Sequence, residues 1–178
     1  AYVASGKKLT VNGTLDVTDY TAGNVTGATI AADSVVYNKD VDNATVGTLL
    51  AMASASGEVT VGNVTDELTM SASAKTLNIG NAAKDVTVSN GTLTAKALSG
   101  KLTLTAGTAT VDSVAGEIAD ASGTTLTINT GVLDAATAFA SSTIKGTVTL
   151  KAQQKGSVLE AITPASGAKL TLTVASDD

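Results

Sequence analysis

No cysteine, histidine, tryptophan or arginine occurs in the 178 residues, proline occurs once, and aromatic side chains make up 2% of the chain. Each absence excludes something. Without cysteine there is no disulfide framework and no thiolate metal site. Without histidine or cysteine, Ser-His-Asp and Cys-His nucleophilic arrangements cannot be built. All 11 basic residues are lysine and the net charge is -5, so the clustered cations that hold nucleic-acid phosphates are missing and nucleic acid is not an expected partner. No apolar run approaches the ~18 residues of a membrane-spanning helix. No glycine-rich phosphate loop or dinucleotide fingerprint is present, so no cofactor is expected. No basic, then apolar leader is visible either; a start at Ala1 instead of Met suits a mature product after signal removal, and equally a trimmed chain.

The scarcity of rings bears on the fold. Phe139, Tyr2, Tyr20 and Tyr37 are the only aromatics, yet 43% of the chain is hydrophobic. A core of Ala, Val, Leu and Ile must be built from thin, repeated layers, whereas a sandwich of this length normally buries several large aromatics. What is present agrees with that. From Glu58 to Val111 short apolar–polar–apolar triplets recur: Val59-Thr60-Val61, Leu68-Thr69-Met70, Leu77-Asn78-Ile79 and Val86-Thr87-Val88, then, after a slip, Leu93-Thr94-Ala95 and Leu102-Thr103-Leu104. In each, residues one and three face inward and residue two faces solvent. Turn formers separate them: Gly62-Asn63, Gly80-Asn81, Asn90-Gly91 and Gly100. A short fixed period of strand plus turn predicts an all-β, β-solenoid-like stack with a sub-repeat of about nine residues, two sub-repeats per coil. The competing architecture is an antiparallel β-sandwich with Asn-Gly hairpins and strand donation.

Outside that block, Leu9–Val11 and Leu15–Val17 flank an Asn12-Gly13 turn signal, and Ile30 and Val35–Tyr37 read as short strands. Residues 38–43 form a polar bridge, and Thr45–Ser56 fits a strand or helical turns equally. Two irregular insertions are expected, at about 112–124 and 131–146, the second with an alanine-rich helix or loop from Val132 to Ser141. Gly146 is expected as a bulge inside a strand from Ile144 to Ala152. Lys169–Val174 is the most regular strand. No linker divides the chain, so 1–178 is one domain.

Chemistry-bearing candidates are few. The acidic spots Asp40/Asp42, Asp66/Glu67, Asp112, Glu117 and Asp120 lack the aromatic platforms of sugar-cleaving sites and read as solvated loop acids, so the protein is not expected to be an enzyme. Asp40, Asp42 and Asn43 form the one weak calcium candidate. Asn12, Asn24, Asn43, Asn63 and Asn90 each begin an Asn-x-Thr acceptor for N-glycosylation, five of the nine asparagines; the same pattern arises when a turn asparagine precedes a strand threonine. Thr-x-Thr pairs occur at Thr92/Thr94, Thr103/Thr105, Thr108/Thr110, Thr125/Thr127, Thr147/Thr149 and Thr171/Thr173, at intervals of 11, 5, 17, 22 and 24 residues. An ice-binding face needs one regular rank per coil, and β-propensity accounts for irregular pairs better.

Short Val/Leu-Thr-Val/Leu repeats with Gly/Asn turns and lysine as sole base resemble microbial surface proteins: S-layer subunits, extracellular filament subunits, and stalks of adhesins or autotransporter passengers. The rhythm of Leu9–Tyr37 and Glu58–Val111 is also similar to that of bactofilins, polymerising cytoplasmic β-solenoids, and departs from it after Asp112. The resemblance implies a structural, self-assembling, extracellular subunit of a filament or surface layer, with itself as partner. Its assembly strands would carry Leu9, Val11, Leu15 and Val17 at one end and Leu170, Leu172 and Val174 at the other. The alternative is an adhesin or stalk module that binds cell-surface glycans through the two insertions.

Overall fold

The computed structural model describes residues 3–19, 27–129, 143–153 and 163–174. The chain is a parallel β-solenoid of about seven turns. Its elements, in order, are β1 (Lys8–Asp16), β2 (Thr29–Tyr37), α1 (Asn43–Met52), β3 (Ala53–Val61), β4 (Leu68–Met70), β5 (Thr76–Asn78), β6 (Val86–Val88), β7 (Thr92–Leu98) and β8 (Leu102–Leu104). They continue with β9 (Thr108–Val114), β10 (Ile118–Asp120), β11 (Thr125–Ile128), β12 (Thr143–Ile144), β13 (Thr147–Gln153), β14 (Thr163–Pro164) and β15 (Lys169–Val174). Among the described residues, one nine-stranded sheet runs β1-β2-β3-β5-β7-β9-β11-β13-β15 and a four-stranded sheet runs β10-β8-β6-β4. A two-stranded sheet, β12-β14, continues the second column beside β10. Every strand pairing is parallel, which excludes the antiparallel sandwich.

The nine-residue beat is the alternation between the two sheets. Val59, Leu77, Leu93, Ala109, Leu126, Val148 and Leu170 stand in one column of the large sheet. Leu68, Val86, Leu102 and Ile118 form the facing column. A third line, Val41, Val64, Ala82 and Leu98, closes each coil through single bridges. The slip before Leu93 is a coil shortened from 18 residues (Val59 to Leu77) to 16 (Leu77 to Leu93). The interior is a stack of aliphatic layers in which Leu77, Val86, Leu93, Leu102, Ala109, Ile118 and Leu126 are wholly buried. A single coil cannot bury these residues, so each layer depends on its neighbours about 4.8 Å away.

Several expectations are corrected. Residues 112–124 are no insertion: β9, the turn at Gly116 and β10 keep the coil, with Ile118 and Ala119 in register with Leu102 and Thr103. The repeat looked broken because apolar Ala115 and Ala119 stand where Ser99 and Thr103 gave polarity one coil earlier. Asn12-Gly13 is no hairpin; β1 runs through it as a bulge against β2, where the Gly13 N–H donates to Asp33 Oδ2 at 2.7 Å. Gly146 does not bulge a strand but turns the corner between β12 and β13, in different sheets. Of the 131–146 segment, residues 131–142 lie outside the described residues, as does the stretch from Val158 to Ile162.

The ambiguous Thr45–Ser56 stretch resolves into both readings, a helix to Met52 and a strand from Ala53. Asp42 caps α1 by accepting the Thr45 N–H at 2.8 Å, and Val46, Leu49 and Leu50 are buried beneath it. The helix takes the place in the second column where a strand before β4 would lie. Asn43 Oδ1 accepts the N–H of Thr69 on β4 at 2.9 Å, and the Lys75 ammonium reaches the Leu50 carbonyl. A helix therefore stands where a strand of the second column would lie, packed against β2, β3 and β4.

Candidate functional site: the two ends of the large sheet

Any parallel stack has two edges, and here they are β1 and β15, each paired on one side only among the described residues. Among the described residues, β1 is the outermost strand at this end of the large sheet. Leu9, Val11 and Leu15 on the inward face are accordingly only half-buried, whereas Val35 and Val59, one and two strands further in, are fully buried. Val17 reaches the core at 9% exposure. At the other end Leu170 is half-buried against the core. Leu172 pairs in register with Leu150, and Val174 with Gln153. Six of the seven predicted assembly positions thus fall on the two terminal strands, and Val17 lies one residue past the end of β1.

The two edges match in pattern and direction. Leu9, Val11 and Leu15 pair with Ile30, Ala32 and Val35, and Leu170 and Leu172 pair with Val148 and Leu150. A second copy laid with its β1 beside β15 would set Leu9 against Leu170 and Val11 against Leu172, prolonging the sheet without reversal. In that register Lys8 meets Lys169, a like-charge pair that opposes the contact weakly and less so in salt.

The calcium candidate is taken up by corners instead. Asp40 Oδ1 accepts the Asn63 N–H at 3.0 Å, Asp42 caps α1 and Asn43 holds β4. These oxygens face three different backbone groups, and no cluster of three or more metal-capable side chains occurs among the described residues. Asn63 Oδ1 in turn accepts the Asn81 N–H at 2.8 Å, so Asp40, Asn63 and Asn81 form a ladder up one corner. Of the other sequon asparagines, Asn12 is exposed at the β1 bulge and the Asn90 side chain accepts the Gly91 N–H; Asn24 lies outside the described residues.

Asp66, Asp112, Glu117 and Asp120 also have structural partners, Asp112 accepting from the Asn129 side-chain amide at 3.4 Å. Asp66 meets Lys84 at 2.7 Å and Glu117 meets Lys101 at 3.3 Å, both on the surface, where such pairs contribute little. Lys84 holds the Asp66 carboxyl below its ordinary range. Asp120 is different, buried at 6% exposure, and accepts the N–H groups of Lys145 and Gly146 at 2.8 and 2.6 Å. Sequence placed it among solvated loop acids; its position as third residue of an inward-facing triplet was the available signal.

Hydrogen bonds from Thr45, side chain first and backbone second, hold the Asp42 carboxyl below its ordinary value. A depressed carboxylate adds stability above its unfolded-state pKa and loses it as pH falls through the folded one. The Thr45 amide resonance should therefore titrate with a midpoint below that of a free aspartate, and Asp42→Ala should abolish the titration. A midpoint at or above the free value would remove the cap from the account.

No helix among the described residues is long and apolar enough to cross a membrane. Comparison with protein-family models, with curated proteins and with solved structures finds no match.

Proposed function

We propose that the protein is a structural subunit that polymerises at the cell exterior into a filament or surface layer, each copy adding its β1 to β15 of the next. The observation that carries this is the pair of co-directional terminal strands, each paired on one side only among the described residues, with Leu9, Val11 and Leu15 on β1 only half-buried. An edge of this kind templates pairing with another chain unless charge, bulges or proline blunt it. A head-to-tail contact between unlike surfaces does not close on itself and grows open polymers. The lack of histidine and cysteine, and so of Ser-His-Asp and Cys-His arrangements, supports a mechanical over a chemical task, and the extracellular setting rests on the resemblance to surface proteins.

Size-exclusion chromatography followed by negative-stain electron microscopy tests it. The full chain should form regular fibres or sheets, more readily as salt screens Lys8 from Lys169. Leu9→Lys combined with Leu15→Lys should leave monomers, because a charge on the inward face of the seam is buried by each added copy. The change sits on the terminal strand, so the coils behind it keep their fold. Monodisperse full-length protein at high concentration, or normal polymers from the lysine variant, would defeat the proposal; a monomer would point to a stalk or glycan-binding module of a larger surface protein.

A further inference from the structure

The outer face of the large sheet carries the threonines whose spacing looked irregular along the chain. Strand pairing sets Thr76, Thr92, Thr108, Thr125 and Thr147 side by side, each opposite the next. A second rank two residues on holds Thr94, Thr110, Thr127, Thr149 and Thr171. The unequal intervals lie entirely in the corners and loops between strands, and Thr103/Thr105 belongs to β8 in the other sheet. From β5 to β11 the pairing runs without a register shift, and in β13 the shift comes only after Leu150. Neighbouring threonines within a rank are therefore about 4.8 Å apart, and the two ranks, two residues apart along each strand, are separated by about 6.6 Å.

Three further observations bear on what such a face meets. None of the ten hydroxyls is committed to a hydrogen bond within the described residues. All ten side chains are half-buried or exposed, the packing of neighbouring threonines leaving their outer surfaces to solvent. No charge falls inside the array; Lys96, Asp112 and Lys151 border the second rank, and Glu58 and Lys169 stand at the two ends of the first.

We propose that this face binds ice. The strand spacing lies close to the repeat of oxygen atoms along the basal axis of hexagonal ice, and the separation of the ranks lies near its long axis. Water held by the hydroxyls is thereby placed on lattice positions of a growing crystal. Threonine is β-branched and stiff about χ1, so the hydroxyls are pre-ordered and little rotamer freedom is lost when the surface freezes on. Its methyl groups fill the gaps between hydroxyls and exclude water from off-lattice sites. Ordered bridging waters of this kind are nearly as favourable as direct hydrogen bonds.

The test is ice shaping and inhibition of ice recrystallisation, and it does not depend on polymerisation. The purified chain should facet ice crystals and suppress recrystallisation at micromolar protein. Thr110→Tyr with Thr127→Tyr puts two strand-compatible rings in the middle of the array and should lower the activity at least tenfold. Thr87→Tyr, at the outward position of β6 in the other sheet, should leave it unchanged. Circular dichroism establishes that each variant is folded; should the double variant fail to fold, Thr110→Lys reads the same outcome. Parent protein no more active than serum albumin at equal mass, or an array variant as active as the parent, would overturn the proposal.

Discussion

Replacing Gly107 by alanine should destabilise the protein by about 2–5 kcal/mol, the sum of two separate penalties. One is conformational: Gly107 has φ +82, and a side chain in that left-handed region costs about 1–2 kcal/mol. The other is steric: a Cβ there would stand 2.3 Å from the Gly91 carbonyl oxygen, directly along the stack, and overpacking a closed interior costs about 1–3 kcal/mol. Two companion variants separate the terms. Gly123 has φ +84 and open space around it, so Gly123→Ala carries only the conformational cost. Gly116 has no positive φ, but its Cβ would lie 2.2 Å from the Gly100 carbonyl oxygen, so Gly116→Ala carries only the crowding. Urea denaturation of the three should place Gly107→Ala furthest from the parent. If Gly123→Ala proved as damaging as Gly107→Ala, the close approach of successive corners would be the wrong explanation.

Removing the buried carboxylate of Asp120 should be of similar size, about 3–5 kcal/mol for Asp120→Ala, since two charge-assisted hydrogen bonds are lost and two N–H groups, a part-buried one on Lys145 and a buried one on Gly146, are left without acceptors. Asp120 Oδ1 and Oδ2 receive the corner that joins β12 to β13, accepting from Lys145 N and Gly146 N. Because a solenoid's stability is a sum over neighbouring coils, the loss should be local. Amide hydrogen exchange should accelerate in β12 and β13 and stay slow in β5–β9. Asp120→Asn keeps one acceptor oxygen and should recover part of the loss. Uniform acceleration through all coils, or a denaturation midpoint equal to that of the parent, would show that Asp120 does not hold the corner between β12 and β13.

Much of this architecture was legible in the sequence because a solenoid repeats one local event. The triplets from Val59 to Leu104, separated by Gly and Asn, name the inward residues, and the structure buries Leu68, Leu77, Val86, Leu93 and Leu102. The terminal strands were legible for the same reason. What escaped were features that need a neighbour from another coil. Asn12-Gly13 has the composition of a hairpin and is a bulge, because Asp33 on the adjoining strand takes its N–H. Asp120 has the composition of a loop acid and is buried, because its two partners lie 25 and 26 residues further on. The calcium candidate Asp40, Asp42 and Asn43 is contiguous in sequence, yet each side chain is drawn to a different backbone group.

By itself, then, the sequence determined the strand class, the thin aliphatic core and the chemistry that is missing, since these follow from residue type and a period-two alternation within a few residues. Only the tertiary structure decided that the pairing is parallel, that α1 takes the place of a strand in the second column, and that ten threonines at uneven intervals share one face. Register between strands is set by how much chain each corner consumes, and corners of unequal length carry no periodic signal.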